Sequence, residues 1–204
     1  LAADLADRLA IASDAASALI AFKEHHYLRL ILGDALGTIG FEALVTELSD
    51  VVDVIVQACL DQAMAAMTMR FTRTATRFTV LGMGKLGARE LNYSSDIDLI
   101  FVYDGEEGSH EFCQKLGADL IRRIDEATMH GRLFRVDMRL RPEGERGELV
   151  LSLRETIDYY YSVGRPWERQ AMIKARPIAG DLALGNRLVD ELQPWIYPQE
   201  PAWE

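Results

Sequence analysis

Residues 97–103 constrain the fold more than any other part of the sequence. They read Ile-Asp-Leu-Ile-Phe-Val-Tyr, are apolar apart from Asp98, and end at Asp104-Gly105. β-Branched and aromatic residues bounded by turn residues indicate a strand, and a strand that is apolar throughout is typically buried on both faces. Such a strand needs helices on both sides of its sheet. We therefore predict an α+β fold in which helices pack around a small, mixed, strongly twisted sheet.

The beginning of the chain differs in composition from the rest. Residues 1–70 are rich in Ala, Leu, Val and Ile, contain no proline, and place apolar residues at helical spacing. Glycines interrupt this pattern between positions 33 and 40, after which we predict a new helical segment and a longer helix over about 49–69. We predict three parts: a helical lead-in over 1–70, a second domain over 71–193, and an extended tail over 194–204 with three prolines.

The second domain shows alternating strand and helix signals. Its predicted strands share β-branched or alternating apolar residues, and its predicted helices share apolar residues at helical spacing. The strands are predicted over 78–81, 97–103, 133–140 and 149–153, and the helices over about 109–129, 153–163, 166–176 and 183–193. A glycine-rich turn, 82–87, follows the first strand.

Composition excludes several classes of function. The 22 basic and 32 acidic residues give a net charge of −10, which is not the broad basic footprint of a non-specific nucleic-acid binder. No apolar run is long enough for a membrane span, and the start lacks the pattern of a signal peptide. Cys59 and Cys113 are too few for a disulfide framework, which favours the cytoplasm. Because the chain starts at Leu1 within a helical pattern, we expect it to be part of a longer protein.

Two carboxylates stand at the start of the apolar strand. Asp96 and Asp98 are two residues apart, so in a strand they point to the same face. Neighbouring carboxylates repel each other, and a divalent cation offsets that repulsion. Ligation by oxygen alone favours Mg²⁺. The alternative is a pair of exposed acids at a strand start, which fits a strand buried on both faces less well.

A second charged pattern lies on the predicted strand 133–140. In a strand, Asp137, Arg139 and Arg141 share one face, which places a third carboxylate beside two guanidinium groups. Arginine suits phosphate because its planar fork donates paired, charge-assisted hydrogen bonds. The alternative is a half-exposed strand with an Asp–Arg ion pair.

The glycine-rich turn reads Gly82-Met83-Gly84-Lys85-Leu86-Gly87. Backbone N–H groups in such a turn can bind phosphate. The turn does not match the P-loop pattern, and the acidic pair follows too soon for a dinucleotide-binding fold. By itself it is a weak indication of a phosphate site.

Together these three segments resemble the nucleotidyltransferase superfamily of the DNA polymerase β type, in which a Gly-Ser turn precedes Asp-x-Asp and a third Asp follows on a later strand. Here Gly84-Lys85 stands in place of Gly-Ser, with Lys85 as a point charge. The longer segments 81–98, 135–142 and 167–176 resemble the family of bifunctional glutamine synthetase adenylyltransferase/adenylyl-removing enzymes. The residues that match its amino-terminal copy rather than its carboxy-terminal copy are Met83, Ser94, Ile97, Met138 and Arg169.

The resemblance implies a reaction and a set of partners. The amino-terminal domain of this family removes AMP from a tyrosine of glutamine synthetase by phosphorolysis, which releases ADP. The expected partners are glutamine synthetase, ATP or ADP, phosphate, and the PII signal protein through the full-length enzyme; no nucleic acid or membrane is expected. The alternatives are adenylylation from ATP by the carboxy-terminal type of copy, and a nucleotide-binding regulatory module without turnover.

The resemblance also implies roles for individual residues. The catalytic residues, which would also hold Mg²⁺, are Asp96, Asp98 and Asp137. The residues that would contact nucleotide or phosphate are Gly84, Lys85, Ser95, Arg139 and Arg141. For Arg141 a structural ion pair is the alternative. The roles of Glu168, Arg169 and Lys174, the oligomeric state, and the response to PII and glutamine stay open.

Overall fold

The computed structural model describes residues 1–69, 76–106, 108–129 and 131–198. Within them the chain has the predicted mixed α+β architecture, a small mixed sheet surrounded by helices. The boundary predicted between residues 70 and 71, and the last six residues of the predicted tail, lie outside the described residues. None of the described helices combines the length and apolar character of a membrane span.

Helices precede, separate and follow the strands. Their bounds are α1 Ala2–Ile11, α2 Ala15–Ala35, α3 Phe41–Thr68, α4 Gly84–Gly87, α5 Ser109–Asp125, α6 Leu153–Ser162, α7 Pro166–Met172 and α8 Leu182–Ile196. The new segment and the longer helix predicted before residue 70 form one continuous helix, α3, because neither glycine nor proline interrupts the chain between its ends. The predicted helices at 153–163 and 183–193 are confirmed as α6 and α8.

The strands form one mixed sheet. They are β1 Thr76–Gly82, β2 Ile97–Gly105, β3 Val136–Asp137, β4 Val150–Ser152 and β5 Arg176–Gly180. The order across the sheet is β3-β2-β1-β5, and β4 pairs with β2 further along the same strand. β1 runs antiparallel to β2 and β5, whereas β3 and β4 run parallel to β2.

The prediction that β2 is buried on both faces is confirmed. Alternate residues of β2 point into two different cores. Leu99 and Phe101 lie in a core formed with α3 and α5, whereas Ile100 and Val102 lie in a core formed with α6 and α8. The helical lead-in therefore covers one face of the sheet that carries the acidic residues.

Several predicted elements differ in the structure. The strand predicted over 133–140 is only Val136–Asp137, because turns take over at Arg139 and Leu140, shortly before Pro142. Asp137, Arg139 and Arg141 therefore do not share one strand face. The glycine-rich turn contains the single helical turn α4.

The remaining differences lie near the end of the chain. The helix predicted over 166–176 ends at Met172, and the chain continues into the edge strand β5. Sequence reasoning missed β5 because Pro177 argues against a strand unless that strand lies at an edge. The tail was predicted to be extended from Pro194, but α8 runs through this proline to Ile196.

Candidate active site

Asp98 and Asp137 lie opposite each other on the parallel strands β2 and β3. Register partners on neighbouring strands present their side chains to the same face. Asp98 is half-buried, and its pKa is raised by burial first and then by the charges of Asp137 and Asp96. The carboxylate repulsion expected from the sequence is therefore present at Asp98.

Asp96 precedes β2, and its carboxylate forms an ion pair with Arg135. Both side chains are largely exposed. Sequence reasoning missed Arg135 as a partner of Asp96, although strand alternation puts Arg135 on the same face as Asp137. The feature that could have indicated this pair is the position of Arg135, one residue before β3. There its carbonyl oxygen accepts a hydrogen bond from the backbone N–H of Ile97 at 2.9 Å, which brings Arg135 beside Asp96.

Arg139 forms an ion pair with Asp137. Its guanidinium Nε donates to both carboxylate oxygens of Asp137, at 3.0 and 2.9 Å, and its backbone N–H donates to one of them at 2.8 Å. These hydrogen bonds hold the pKa of Asp137 below its usual range. The Asp–Arg ion pair that was the alternative from the sequence is thus formed.

The oxygen donors at this site fit Mg²⁺ in chemistry, with Asp98 and Asp137 best placed to hold it. Within the described residues, no three acidic, histidine or cysteine side chains are arranged to hold a metal as they stand. Asp96 and Asp137 face arginines instead. Metal binding by all three predicted ligands therefore requires these carboxylates to turn from their arginine partners.

Arg141 and Ser95 make structural contacts. The guanidinium of Arg141 donates to the backbone carbonyls of Met138, Glu145 and Gly147 at 2.8, 3.2 and 3.3 Å. It thereby closes the turn that follows β3. The Ser95 hydroxyl donates to the side chain of Asn92 at 2.6 Å and closes the turn before β2.

α4 places Gly84 directly against Asp98. A Cβ atom at Gly84 would lie 2.7 Å from Asp98 Oδ2, and Gly84 has φ of +52°, a conformation that side chains other than glycine rarely adopt. The backbone N–H of Met83 donates to the Asp98 carbonyl oxygen at 2.9 Å. Lys85 is exposed, and its charge acts to lower the pKa of Asp98 against the larger effect of burial. Three of the predicted site residues, Gly84, Lys85 and Asp98, therefore lie together.

Arg176 fixes α4 in this position. Its guanidinium donates to the carbonyl oxygens of Leu86 and Gly87 at 3.0 and 3.1 Å and forms two hydrogen bonds, at 2.6 and 3.1 Å, with Asp53 of α3. Burial nevertheless raises the pKa of Asp53, because the effect of desolvation exceeds that of Arg176. Sequence reasoning did not connect Asp53 with the site, since no local pattern reports a contact across such a separation.

The residues whose roles stayed open make local contacts. Glu168 is buried and accepts hydrogen bonds from the Tyr159 hydroxyl and the Arg165 backbone, both at 2.7 Å. Arg169 lies over the Trp195 ring, and Lys174 pairs with Glu90 at 2.7 Å. These contacts are those of structural residues.

An open cleft of about 500 Å³ lies on this side of the sheet. Its lining includes Asp96, Asp137 and Arg139. A small mixed sheet with aspartates on neighbouring strands, beside a glycine-rich helical turn, is compatible with a nucleotidyltransferase-like fold.

Comparison with known proteins gives the family. The sequence model of the glutamate-ammonia ligase adenylyltransferase family, GlnE, matches residues 1–190. The bifunctional glutamine synthetase adenylyltransferase/adenylyl-removing enzyme of Nitrosococcus oceani is 41% identical over 86% of this chain, and that of Pseudomonas putida is 55% identical over 58% of it. The chain belongs to the glutamate-ammonia ligase adenylyltransferase family. It spans 20% of the length of the first relative and 13% of the second.

Proposed function

We propose that this chain is a nucleotidyltransferase domain of the DNA polymerase β type, and that it removes AMP from an adenylylated tyrosine of glutamine synthetase by phosphorolysis. The observation that carries the proposal is the opposed pair Asp98 and Asp137, with Gly84 against Asp98, in a chain of this family. The match to the amino-terminal copy at positions such as Met83 and Met138 favours removal over adenylylation.

In this reaction an oxygen of inorganic phosphate attacks the phosphorus of the tyrosyl-AMP group. The bond from phosphorus to the tyrosyl oxygen breaks, the electron pair stays on that oxygen, and the oxygen takes up a proton. The products are ADP and unmodified tyrosine. Transfer of this kind depends on positioning and on charge neutralisation.

The residues of this chain have assigned roles in the proposal. Asp98 and Asp137, joined by Asp96, would hold Mg²⁺, which when bound neutralises charge on the phosphoryl oxygens. Gly84 allows the backbone of α4 to approach the site, and Lys85 supplies a cation there. Arg139 keeps Asp137 ionised until Mg²⁺ takes the place of the guanidinium group.

The reaction partners and the cellular compartment follow from this function. Adenylylated glutamine synthetase is the protein substrate, phosphate is the small-molecule substrate, ADP is the product, and PII acts on the full-length enzyme. We place the enzyme in the cytoplasm, in keeping with two free, buried thiols, Cys59 and Cys113.

The test is product analysis with the full-length protein, adenylylated glutamine synthetase, Mg²⁺ and radiolabelled phosphate. We expect labelled ADP, dependent on phosphate, and its loss in Asp98→Asn. Release of AMP would show water to be the nucleophile. Loss in Asp98→Asn of adenylylation from ATP, with phosphorolysis unaffected, would assign the adenylylating activity to this chain. Nucleotide binding without either activity would support the regulatory module.

A further inference from the structure

A second cleft adjoins the candidate active site. Its volume is about 260 Å³, and it shares Arg132 and Arg135 with the cleft that holds the acidic residues. Lys23 and Tyr27 of α2 line it, together with Ser94 and other residues from the segments that precede β2 and β3. The helical lead-in and the candidate active site thus build this second cleft jointly.

Lys23 is a half-buried cation in the second cleft. Its ammonium group lies 5.4 Å from the centre of the Tyr27 ring and 5.0 Å from that of Phe134. It donates to the carbonyl oxygen of Arg132 at 3.2 Å, and it forms no ion pair with any carboxylate in the described part of the chain. Burial lowers its pKa. A desolvated ammonium without a counter-ion is a favourable site for an anion.

The rest of the lining points to the same class of ligand. The residues around the second cleft comprise three cations and four hydroxyl-bearing side chains, and none of them is acidic: Lys23, Tyr27, Tyr93, Ser94, Ser95, Arg132, Leu133, Phe134 and Arg135. The phenol of Tyr27 stays neutral because burial raises its pKa to about 12. The lining therefore offers positive charge and hydroxyl groups, which suit an oxyanion.

Two observations argue against a purine base in the second cleft. The ammonium of Lys23 already lies over the rings of Tyr27 and Phe134, where a base would stack. The volume also falls below the range of roughly 300–1,000 Å³ that is usual for drug-sized ligands. A small anion fits both observations.

We propose that the second cleft binds inorganic phosphate as the attacking substrate, with Lys23 as its main charged contact. Arg135 lines both clefts and pairs with Asp96. An anion held in the second cleft therefore lies next to the acidic residues of the candidate active site, where the attacking phosphate must enter. The proposal rests on the proposed function, and it adds the site of the second substrate and a role for the lead-in.

The experiment compares Lys23→Met, Lys23→Arg and wild type in the full-length protein. Phosphate binding is measured by calorimetric titration, and phosphorolysis is measured as a function of phosphate concentration. We expect Lys23→Met to weaken phosphate binding and raise the KM for phosphate by about tenfold, because a charge-assisted hydrogen bond is lost. The KM for adenylylated glutamine synthetase should stay unchanged, and Lys23→Arg should restore most of the binding.

The matched control is Lys115→Met, which removes the same charge from the exposed face of α5 and should leave both constants unchanged. Thermal melting of each variant separates loss of binding from unfolding. Wild-type phosphate affinity in folded Lys23→Met overturns the proposed site, even if phosphorolysis proceeds. Phosphate binding that depends on Lys23, in a protein without phosphorolysis, overturns the proposed function and leaves the anion site standing.

Discussion

Asp98 and Asp137 are register partners on the neighbouring strands β2 and β3, yet their pKa values shift in opposite directions. The pKa of Asp98 is raised by burial and by two neighbouring carboxylates, whereas that of Asp137 is lowered by Arg139. Asp137 has Arg139 as its counter-ion, whereas Asp98 forms no ion pair within the part of the chain that the structure describes. Asp98 is therefore the group that gains most from a divalent cation.

Asp98→Asn tests this directly. Without divalent cations at pH 7, we expect the variant to melt at a higher temperature than wild type, because it removes a destabilising charge. The advantage should vanish as the pH falls, since a raised pKa costs stability only above the unfolded value of about 3.8. Activity should fall roughly 100-fold or more.

The readout of metal binding is the effect of Mg²⁺ on that melting temperature. Mg²⁺ should stabilise wild type and have little effect on Asp98→Asn. Asp104→Asn is the control, because Asp104 lies at the other end of β2 and pairs with Arg77. An equal Mg²⁺ shift in wild type and Asp98→Asn would argue against Asp98 as a ligand.

Arg139→Gln tests the lowered pKa of Asp137. A depressed pKa contributes stability above the unfolded value, and that stability is lost as the pH falls through the folded pKa. Wild type should therefore lose more stability between neutral pH and about pH 2 than Arg139→Gln does. Urea unfolding across this range measures the difference, and parallel curves would show that Arg139 does not stabilise the charged form of Asp137.

Among the elements, α4 lies directly against Asp98. In Gly84→Ala, the new methyl group would meet Asp98 Oδ2 and the residue would keep a positive φ. We expect a stability loss of about 1–2 kcal/mol and a marked fall in turnover, because α4 and Asp98 must separate. Steady-state kinetics and urea unfolding measure the two effects.

Gly37→Ala is the matched control for the backbone conformation. Gly37 has φ of +65°, but a methyl group there meets nothing within 4 Å. This variant should lose a similar amount of stability and keep its activity. Equal activity in both variants would mean that the approach of Gly84 to Asp98 does not matter for the reaction.

The elements differ in how well local sequence determines them. β2 and the helices α6 and α8 follow from apolar patterns that packing reinforces on both sides of the sheet. β3 is shorter than predicted because hydrogen bonds from Arg141 to backbone carbonyls favour a turn over a longer strand. Such contacts depend on side-chain geometry that alternation of residue types does not encode.

The candidate site also combines features that local sequence determines with features that it does not. Alternation of residues gives the face on which Asp98, Asp137 and Arg135 each lie, but not the pairing of β2 with β3 that brings them together. It gives no sign of Lys23. Arg135 reaches Asp96 across neighbouring strands, and Lys23 arrives from the lead-in. Both contacts are formed by tertiary structure.

At the scale of the whole molecule, the Arg176–Asp53 ion pair joins the lead-in to the candidate site. Both side chains are mostly buried, at 23% and 18% exposed. Arg176→Met leaves Asp53 without its partner and frees the carbonyls of α4, so we expect a loss of about 3 kcal/mol. Arg154→Met, at a side chain 92% exposed, is the control and should change stability by less than about 0.5 kcal/mol.

Urea denaturation measures both variants. If Arg176→Met unfolds as wild type does, the pair is not a stabilising link between the two parts. Turnover per folded molecule should also fall in Arg176→Met, because α4 loses its anchor, and should be unaffected in Arg154→Met.

The position of β1 in the sheet has a consequence for synthesis of the protein. Val80 of β1 lies opposite Phe101 of β2 on one side and opposite Ala179 of β5 on the other. A ribosome delivers β1 and β2 long before β5, so one edge of β1 stays open while the intervening chain is made. Open edges recruit strands from other molecules. We therefore expect this edge of the nascent chain to be open to pairing with other molecules until β5 emerges and covers it.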